Sequence, residues 1–287
     1  MRGRSRSRRR SRVTLLPEIE VLRKDLEKDV VNKRIKDVTV RSATIVSRHR
    51  NRPEFVKALT GHKIQALGRR GTYLVFDLDD DAALVVRLGS QGTLSRETAS
   101  QSLGRHTQVA ATFTNGGALH VVDPAKDGEL FVVSRTGLAD LTELTPAGID
   151  PLTDTFTWPS FSQELRRRNA PLRGVLKDET FIVGLGDVYA DEILWAAGLS
   201  GKRLSAELSS QEFRRLYRGV QEVLQEAVKQ GGTDEPVDYA DDDEYESGGF
   251  IKVYGKEGLA CPRCRQPIRK DADDDGSDAF FCGNCQT

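Results

Sequence analysis

The clearest periodicity in the chain runs from residue 209 to 230. Phe213, Leu216, Val220, Val223, Leu224, Ala227 and Val228 recur at three- and four-residue steps, which puts them on one helix face. Ser209 with Glu212 supplies a capping box at its start, and Gly231 a stop at its end. A second stripe, Ile19, Leu22, Leu26 and Val30, predicts a helix over residues 17–30, with Pro17 in the first turn and Glu18 and Glu20 near the positive end of its dipole. From Ile35 to Val133 the pattern changes to short β-rich runs, at 36–40, 73–78, 83–88, 108–113, 119–122 and 130–133. Turn signals such as Asp79-Asp80-Asp81 and Asn115-Gly116-Gly117 separate them. This predicts an antiparallel sandwich or barrel.

The remaining segments fall around these two regions. Residues 144–158, with Pro146 and Pro151, read as a linker, and short helices are predicted at 160–168 and 190–197. Residues 234–246 form an acidic loop with eight carboxylates. Residues 1–12 are low-complexity, arginine and serine, and are expected to be disordered. They read either as an electrostatic arm for nucleic acid or as a misassigned start, because Val13 directly precedes the first structured segment and a valine codon can begin translation. No apolar run reaches the ~18 residues of a membrane span and no secretory leader is visible, so a soluble chain with no membrane partner is expected.

Charge sharpens the picture. The chain has 43 basic and 43 acidic residues, but seven of the arginines lie in residues 1–12, which leaves 36 basic against 43 acidic in the body. Affinity for nucleic acid comes largely from phosphate neutralisation by lysine and arginine. A body near −7 therefore predicts weak DNA binding unless its basic residues share a face.

All four cysteines lie near the end, as Cys261-Pro-Arg-Cys264 and Cys282-Gly-Asn-Cys285. Two such pairs at this separation have zinc-ribbon spacing, and four protein ligands leave no open position, so one structural zinc on Cys261, Cys264, Cys282 and Cys285 is expected. It would hold a β-hairpin with its tip at 270–278. Reduced thiols in a metal site also favour a cytoplasmic place, in association with the nucleoid if DNA is bound. The histidines, His49, His62, His106 and His120, have no ligand spacing and read as surface or packing residues.

Four segments carry a resemblance: Leu16-Pro17-Glu18-Ile19-Glu20; Gly184-Leu185-Gly186-Asp187-Val188-Tyr189-Ala190-Asp191-Glu192; Gln230-Gly231-Gly232-Thr233; and Val253-Tyr254-Gly255-Lys256-Glu257-Gly258, which leads into the cysteines. In this order they resemble the formamidopyrimidine-DNA glycosylase/endonuclease VIII family over residues 14 to 287. The resemblance implies an α+β fold: an N-terminal antiparallel β-sandwich flanked by helices (14–144), a linker (145–158), a helix–two-turn–helix domain (159–246) and a zinc-finger hairpin (247–287). It implies DNA as partner, held between the lobes. It also implies base excision and strand nicking by an N-terminal proline amine assisted by the following glutamate.

The same register shows where this chain departs from the family. Thr14 stands where the proline should be and Leu15 where the glutamate should be. The family's catalytic lysine falls on Thr72, and its void-filling wedge methionine on Ser90. The second wedge reads Asp123-Pro124-Ala125-Lys126-Asp127-Gly128, which keeps Lys126 as a nucleic-acid-binding candidate. A phosphate-binding asparagine becomes Asp187, a lysine upstream becomes Arg173, and the hairpin arginine falls on Ser277 within the acidic run 271–278. Arg173, Asp187 and Tyr189 are further nucleic-acid-binding candidates on the matched motif, although Tyr189 and Trp195 also read as core residues. Thr14 as a terminal amine, with Glu18 assisting, is the catalytic pair left to an active enzyme. Three functions are open: a catalytically impaired family member that binds DNA weakly, an active divergent glycosylase and AP lyase, or a non-catalytic interaction protein whose acidic segments 234–246 and 271–278 meet a basic partner. A monomer is expected in each case.

Overall fold

A computed structural model describes residues 15–145, 147–233 and 249–287. Thr14, the arginine-rich start and the acidic loop 234–246 lie outside the described residues. None of the described helices is long and apolar enough to cross a membrane. The described chain divides into two compact units: Leu22–Arg69 with Tyr73–Leu141, and Leu15–Val21 with Arg70–Thr72 and the residues from Thr142 onwards.

The first unit is built on two four-stranded sheets. One takes β1 (Ile35–Val40), β6 (Thr107–Phe113), β7 (Ala118–Val122) and β5 (Thr93–Glu97), in that order. The other takes β2 (Ile64–Arg70), β3 (Tyr73–Leu78), β4 (Ala82–Arg87) and β8 (Glu129–Ser134). Every pairing in the first sheet, and β3/β4 and β4/β8 in the second, is antiparallel. This is the expected sandwich. Its two turn signals act as turns: Asp80 and Asp81 both take positive φ between β3 and β4, and Gly116 and Gly117 do so between β6 and β7, the hairpin conformation that Asp and Gly tolerate best. Helix α1 (Leu16–Val30) begins one residue before its predicted start.

The first unit also holds elements that periodicity did not reveal: α2 (Arg52–Leu59), β2 and β5. Helix α2 is capped by Asn51, whose side chain accepts from Glu54 N.

In the second unit, α3 (Trp158–Arg166), α4 (Leu172–Lys177), α5 (Gly186–Ala197) and α6 (Ser210–Lys229) surround one apolar core that includes Phe161, Phe181, Tyr189, Phe213 and Leu216. The capping box at Ser209 and Glu212 forms as expected. Helix α4 has no counterpart among the predicted elements. The linker expectation is corrected: Pro151 and Phe156 are buried, Ile149 pairs with Ile182 in a parallel bridge, and a Cβ added to Gly148 would meet Glu179 O at 2.4 Å. The stretch is held by packing, as part of the unit that starts at Thr142. The terminal hairpin pairs β9 (Arg269–Ala272) with β10 (Asp278–Phe281).

Candidate functional site

The loop at the start of α5 receives three of the positions singled out by sequence. Gly184 and Gly186 have φ of +69° and +56°, open to glycine at no steric cost. They are also crowded. A Cβ on Gly184 would lie 2.8 Å from Leu16 Cβ and 3.1 Å from Thr72 Cγ2, and one on Gly186 would lie 2.7 Å from Leu15 Cδ2. Leu16 N donates to Gly184 O at 2.8 Å. The structure thus brings Leu15 and Thr72, the positions aligned with the family's glutamate and lysine, to one loop. Leu15 is buried with the apolar core. Neither residue offers a proton donor of the kind that general acid catalysis uses.

Glu18, expected to assist catalysis, has a different task here. Its Oε1 accepts from Tyr189 OH at 2.8 Å, from Thr233 N at 2.9 Å and from Thr233 Oγ1 at 2.6 Å. Its buried Oε2 has no partner among the described residues. Gly232, at φ +88°, lets the chain pass close to Glu18, where a Cβ would meet Glu18 Cγ at 3.2 Å. One carboxylate therefore ties together three of the four recognised segments. A second ties in the fourth. Glu192, fully buried, accepts from the backbone N–H groups of Lys252, Val253 and Tyr254, each at 2.8 Å. Burial raises the Glu192 carboxyl above its ordinary range and those donors oppose the rise. The nucleic-acid-binding expectation for Tyr189 is corrected: the ring is buried, stacked on Phe250, and its hydroxyl is held by Glu18.

Arg173 is corrected as well. Its side chain is 4% exposed and enclosed by acceptors. It donates to Asp191 at 2.7 Å, Asp187 at 2.8 Å, Ser277 Oγ at 2.8 Å, the Asp278 carbonyl at 2.7 Å, and Asp273. Lys177, one turn along α4, pairs with Asp187 at 2.7 Å and with Asp275. Burial alone would lower both bases, but the surrounding carboxylates outweigh it and raise them. Asp191 is pushed up to about 7 by burial, against the pull of Arg173 and of Phe280 N–H. Asp187, expected on the loop, lies in the first turn of α5, with its carboxylate directed at these bases. A phosphate would need the same donors that Asp187 and Asp273 already hold.

In the first unit, Lys126 is exposed at φ +60°. Its backbone N–H is bound by Asp123 Oδ1 at 2.8 Å, and Asp123 Oδ2 takes Gly128 N at 2.8 Å. Ser90 N donates to Asp127 Oδ1 at 3.0 Å, so the two segments aligned with the wedges are joined.

The four cysteines converge. Their sulfurs lie within 4.8 Å of one another, with Cys264 and Cys282 at 3.4 Å and Cys261 and Cys285 at 3.9 Å. A zinc tetrahedron with ~2.3 Å bonds has S···S edges of about 3.8 Å, so the donor set fits a structural zinc. Cys261 is lowered to about 6: burial opposes this, but backbone N–H donors from Cys264 and Arg263 prevail. Burial and the neighbouring thiols push Cys285 up to about 12. Four thiols this close do not ionise together without a cation among them.

A profile of the formamidopyrimidine-DNA glycosylase N-terminal domain matches residues 15–130, and one of the formamidopyrimidine-DNA glycosylase H2TH domain matches residues 147–237. The chain belongs to the formamidopyrimidine-DNA glycosylase family. A formamidopyrimidine-DNA glycosylase of Pelotomaculum thermopropionicum is 35% identical over 94% of this chain and 98% of its own length. One from Thermus thermophilus is also 35% identical, over 94% and 97%. The Lactococcus lactis Fpg in complex with abasic-site DNA aligns at a TM-score of 0.84 and 29% identity, covering 95% of this chain and 99% of that one.

Sequence reasoning missed Lys177, Asp191 and Glu192 as site residues. A signal was available: Arg173 and Lys177 are four apart on one short helix, and Asp187 and Asp191 four apart on the next, which places each pair on one face.

Proposed function

We propose that this protein is a formamidopyrimidine-DNA glycosylase family member that retains the scaffold and one structural zinc, binds DNA weakly, and has lost or nearly lost glycosylase and AP-lyase activity. The observation that carries the reading is the loop Gly184-Leu185-Gly186, where Leu15 and Thr72 arrive in place of an acid and a lysine. General acid–base assistance is commonly worth ~10²–10⁴ in rate. With Thr14 inside the chain, its nitrogen is an amide and cannot form an imine with a sugar. The neutralised Arg173 and Lys177 support weak binding, since their charge is already matched by carboxylates.

A second reading is an active divergent enzyme, favoured by whole-length likeness to relatives named as formamidopyrimidine-DNA glycosylases. It requires Thr14 to be the mature terminus. Borohydride trapping on a duplex with an abasic site separates the two. The full chain is expected to give no covalent adduct, and a form made to begin at Thr14 at most a slow one. Efficient trapping by the full chain would overturn the proposal. Trapping only by the shortened form would establish the second reading in a weakened version.

A further inference from the structure

Helix α6 carries Arg214, Tyr217, Arg218 and Gln221 at steps of three, one and three residues, so all four share one face. With Trp158, the first residue of α3, they line an open recess of about 390 Å³. This recess shares no residue with the Gly184 loop or the Arg173 cluster.

Its two kinds of wall are built differently. Tyr217 is fixed: its ring stacks on Phe156 with centroids 4.9 Å apart, its hydroxyl donates to Phe156 O at 3.2 Å, and Gln221 Nε2 donates to that hydroxyl at 3.3 Å. Trp158 meets Tyr217 edge to face at 5.7 Å and is only half-buried. Arg214 and Arg218 are exposed, and among the described residues neither has a carboxylate within ion-pair distance. This contrasts with Arg173 and Lys177. Among the described residues, carboxylates match Arg173 and Lys177 on one surface, and two guanidinium groups stand unmatched beside an open indole on another.

We infer that this recess is a binding site for single-stranded nucleic acid, with a base stacked on Trp158 and the flanking phosphates held by Arg214 and Arg218. Unmatched guanidinium groups alone would suit any anion. An indole held in a rigid aromatic wall adds a surface for a planar base, and the combination of a stacking platform with basic residues is how sequence-tolerant single-strand binding works. An acidic peptide would use the arginines and leave the indole idle.

The test uses the full chain and a twelve-residue oligothymidylate. Binding is expected to quench tryptophan fluorescence in the unaltered protein and not in Trp158→Phe, which keeps a stacking plane and should bind within about threefold. Trp158→Ala should weaken binding at least about fivefold, the lower end of what loss of a stacked base produces. Arg214→Gln with Arg218→Gln, both on the exposed surface, should weaken it and flatten the slope of log affinity against log salt by about 1.4, for two contacts on a single strand. An oligomer of the same length without bases should bind at least about fivefold more weakly. The proposal is overturned if the base-free oligomer binds equally well, if the double arginine variant binds unchanged, or if polyglutamate quenches Trp158 as strongly as the oligothymidylate.

Discussion

At the scale of single residues, a carboxylate at position 187 changes what the neighbouring arginine can do. Sequence offers Arg173 as a phosphate ligand because its charge matches the family's lysine. The structure gives it to Asp187, Asp191 and Asp273 instead, and Asp273 lies 100 residues away in the chain. No local pattern could have shown that partner. By contrast, the short motifs that bracket Leu15 and Thr72 are local in sequence, and the structure puts both residues beside the Gly184-Leu185-Gly186 loop. Substituting Asp187, Asp273 and Asp275 together by Asn should free Lys177 while Arg173 keeps Asp191, tighten duplex binding, and steepen log affinity against log salt by about 0.9. An unchanged slope in a salt titration would show that Lys177 does not face the duplex. Arg173→Met should cost about 3–5 kcal/mol, measured by denaturant unfolding, because it leaves Asp191 buried without its charge partner. Arg173→Lys should not restore the loss, since an ammonium cannot span five acceptors in a fixed fork.

At the scale of elements, legibility tracks length and regularity. Helix α6, with 20 residues and an unbroken stripe, is readable with its cap. Strands β3 and β4 are readable because their buried positions are nearly continuous. Helices α2 and α4, at 8 and 6 residues, are too short to repeat a stripe. Strand β2 buries Ile64 and Leu67, an interval of three that breaks simple alternation and on its own reads as helical. The cap of α6 has a pH signature. Hydrogen bonds from Arg203, then from the backbone and side chain of Ser209, hold the Glu212 carboxyl down to about 2, below its ordinary 4.5. A depressed acid contributes stability that is present above the unfolded value and lost as pH falls through the folded one. Glu212→Gln should therefore cost about 1 kcal/mol at pH 7, and the gap from the unaltered protein should close by about pH 2. Parallel acid-unfolding curves with a constant gap would contradict this. The hairpin carries its own test. Elemental analysis should find about one zinc per chain, and Cys264→Ser should release it and unfold the hairpin while α6 keeps its helical signal.

At the scale of the whole molecule, the family frame and the zinc finger are legible because four motifs stand in order, each knitted in place by Glu18 or Glu192. The distribution of charge argues the last prediction. The full chain has 43 basic and 43 acidic residues, yet the seven arginines of residues 1–12 account for the whole balance, and the rest of the chain is near −7. Within that acidic remainder, Arg173 and Lys177 are already matched by carboxylates. Duplex affinity should therefore depend heavily on the first twelve residues. Removing them should weaken binding and flatten log affinity against log salt by up to about 6, the limit set by seven charges on duplex DNA. The loss should be the same for an undamaged duplex and for one bearing an oxidised base, because arginines on phosphates carry no base information. Titration of both duplexes at several salt concentrations, with and without residues 1–12, makes the comparison. Tight, lesion-selective binding by the shortened chain would show that the acidic body recognises damage unaided. The matched charges of the Arg173 cluster would then have to open when DNA binds.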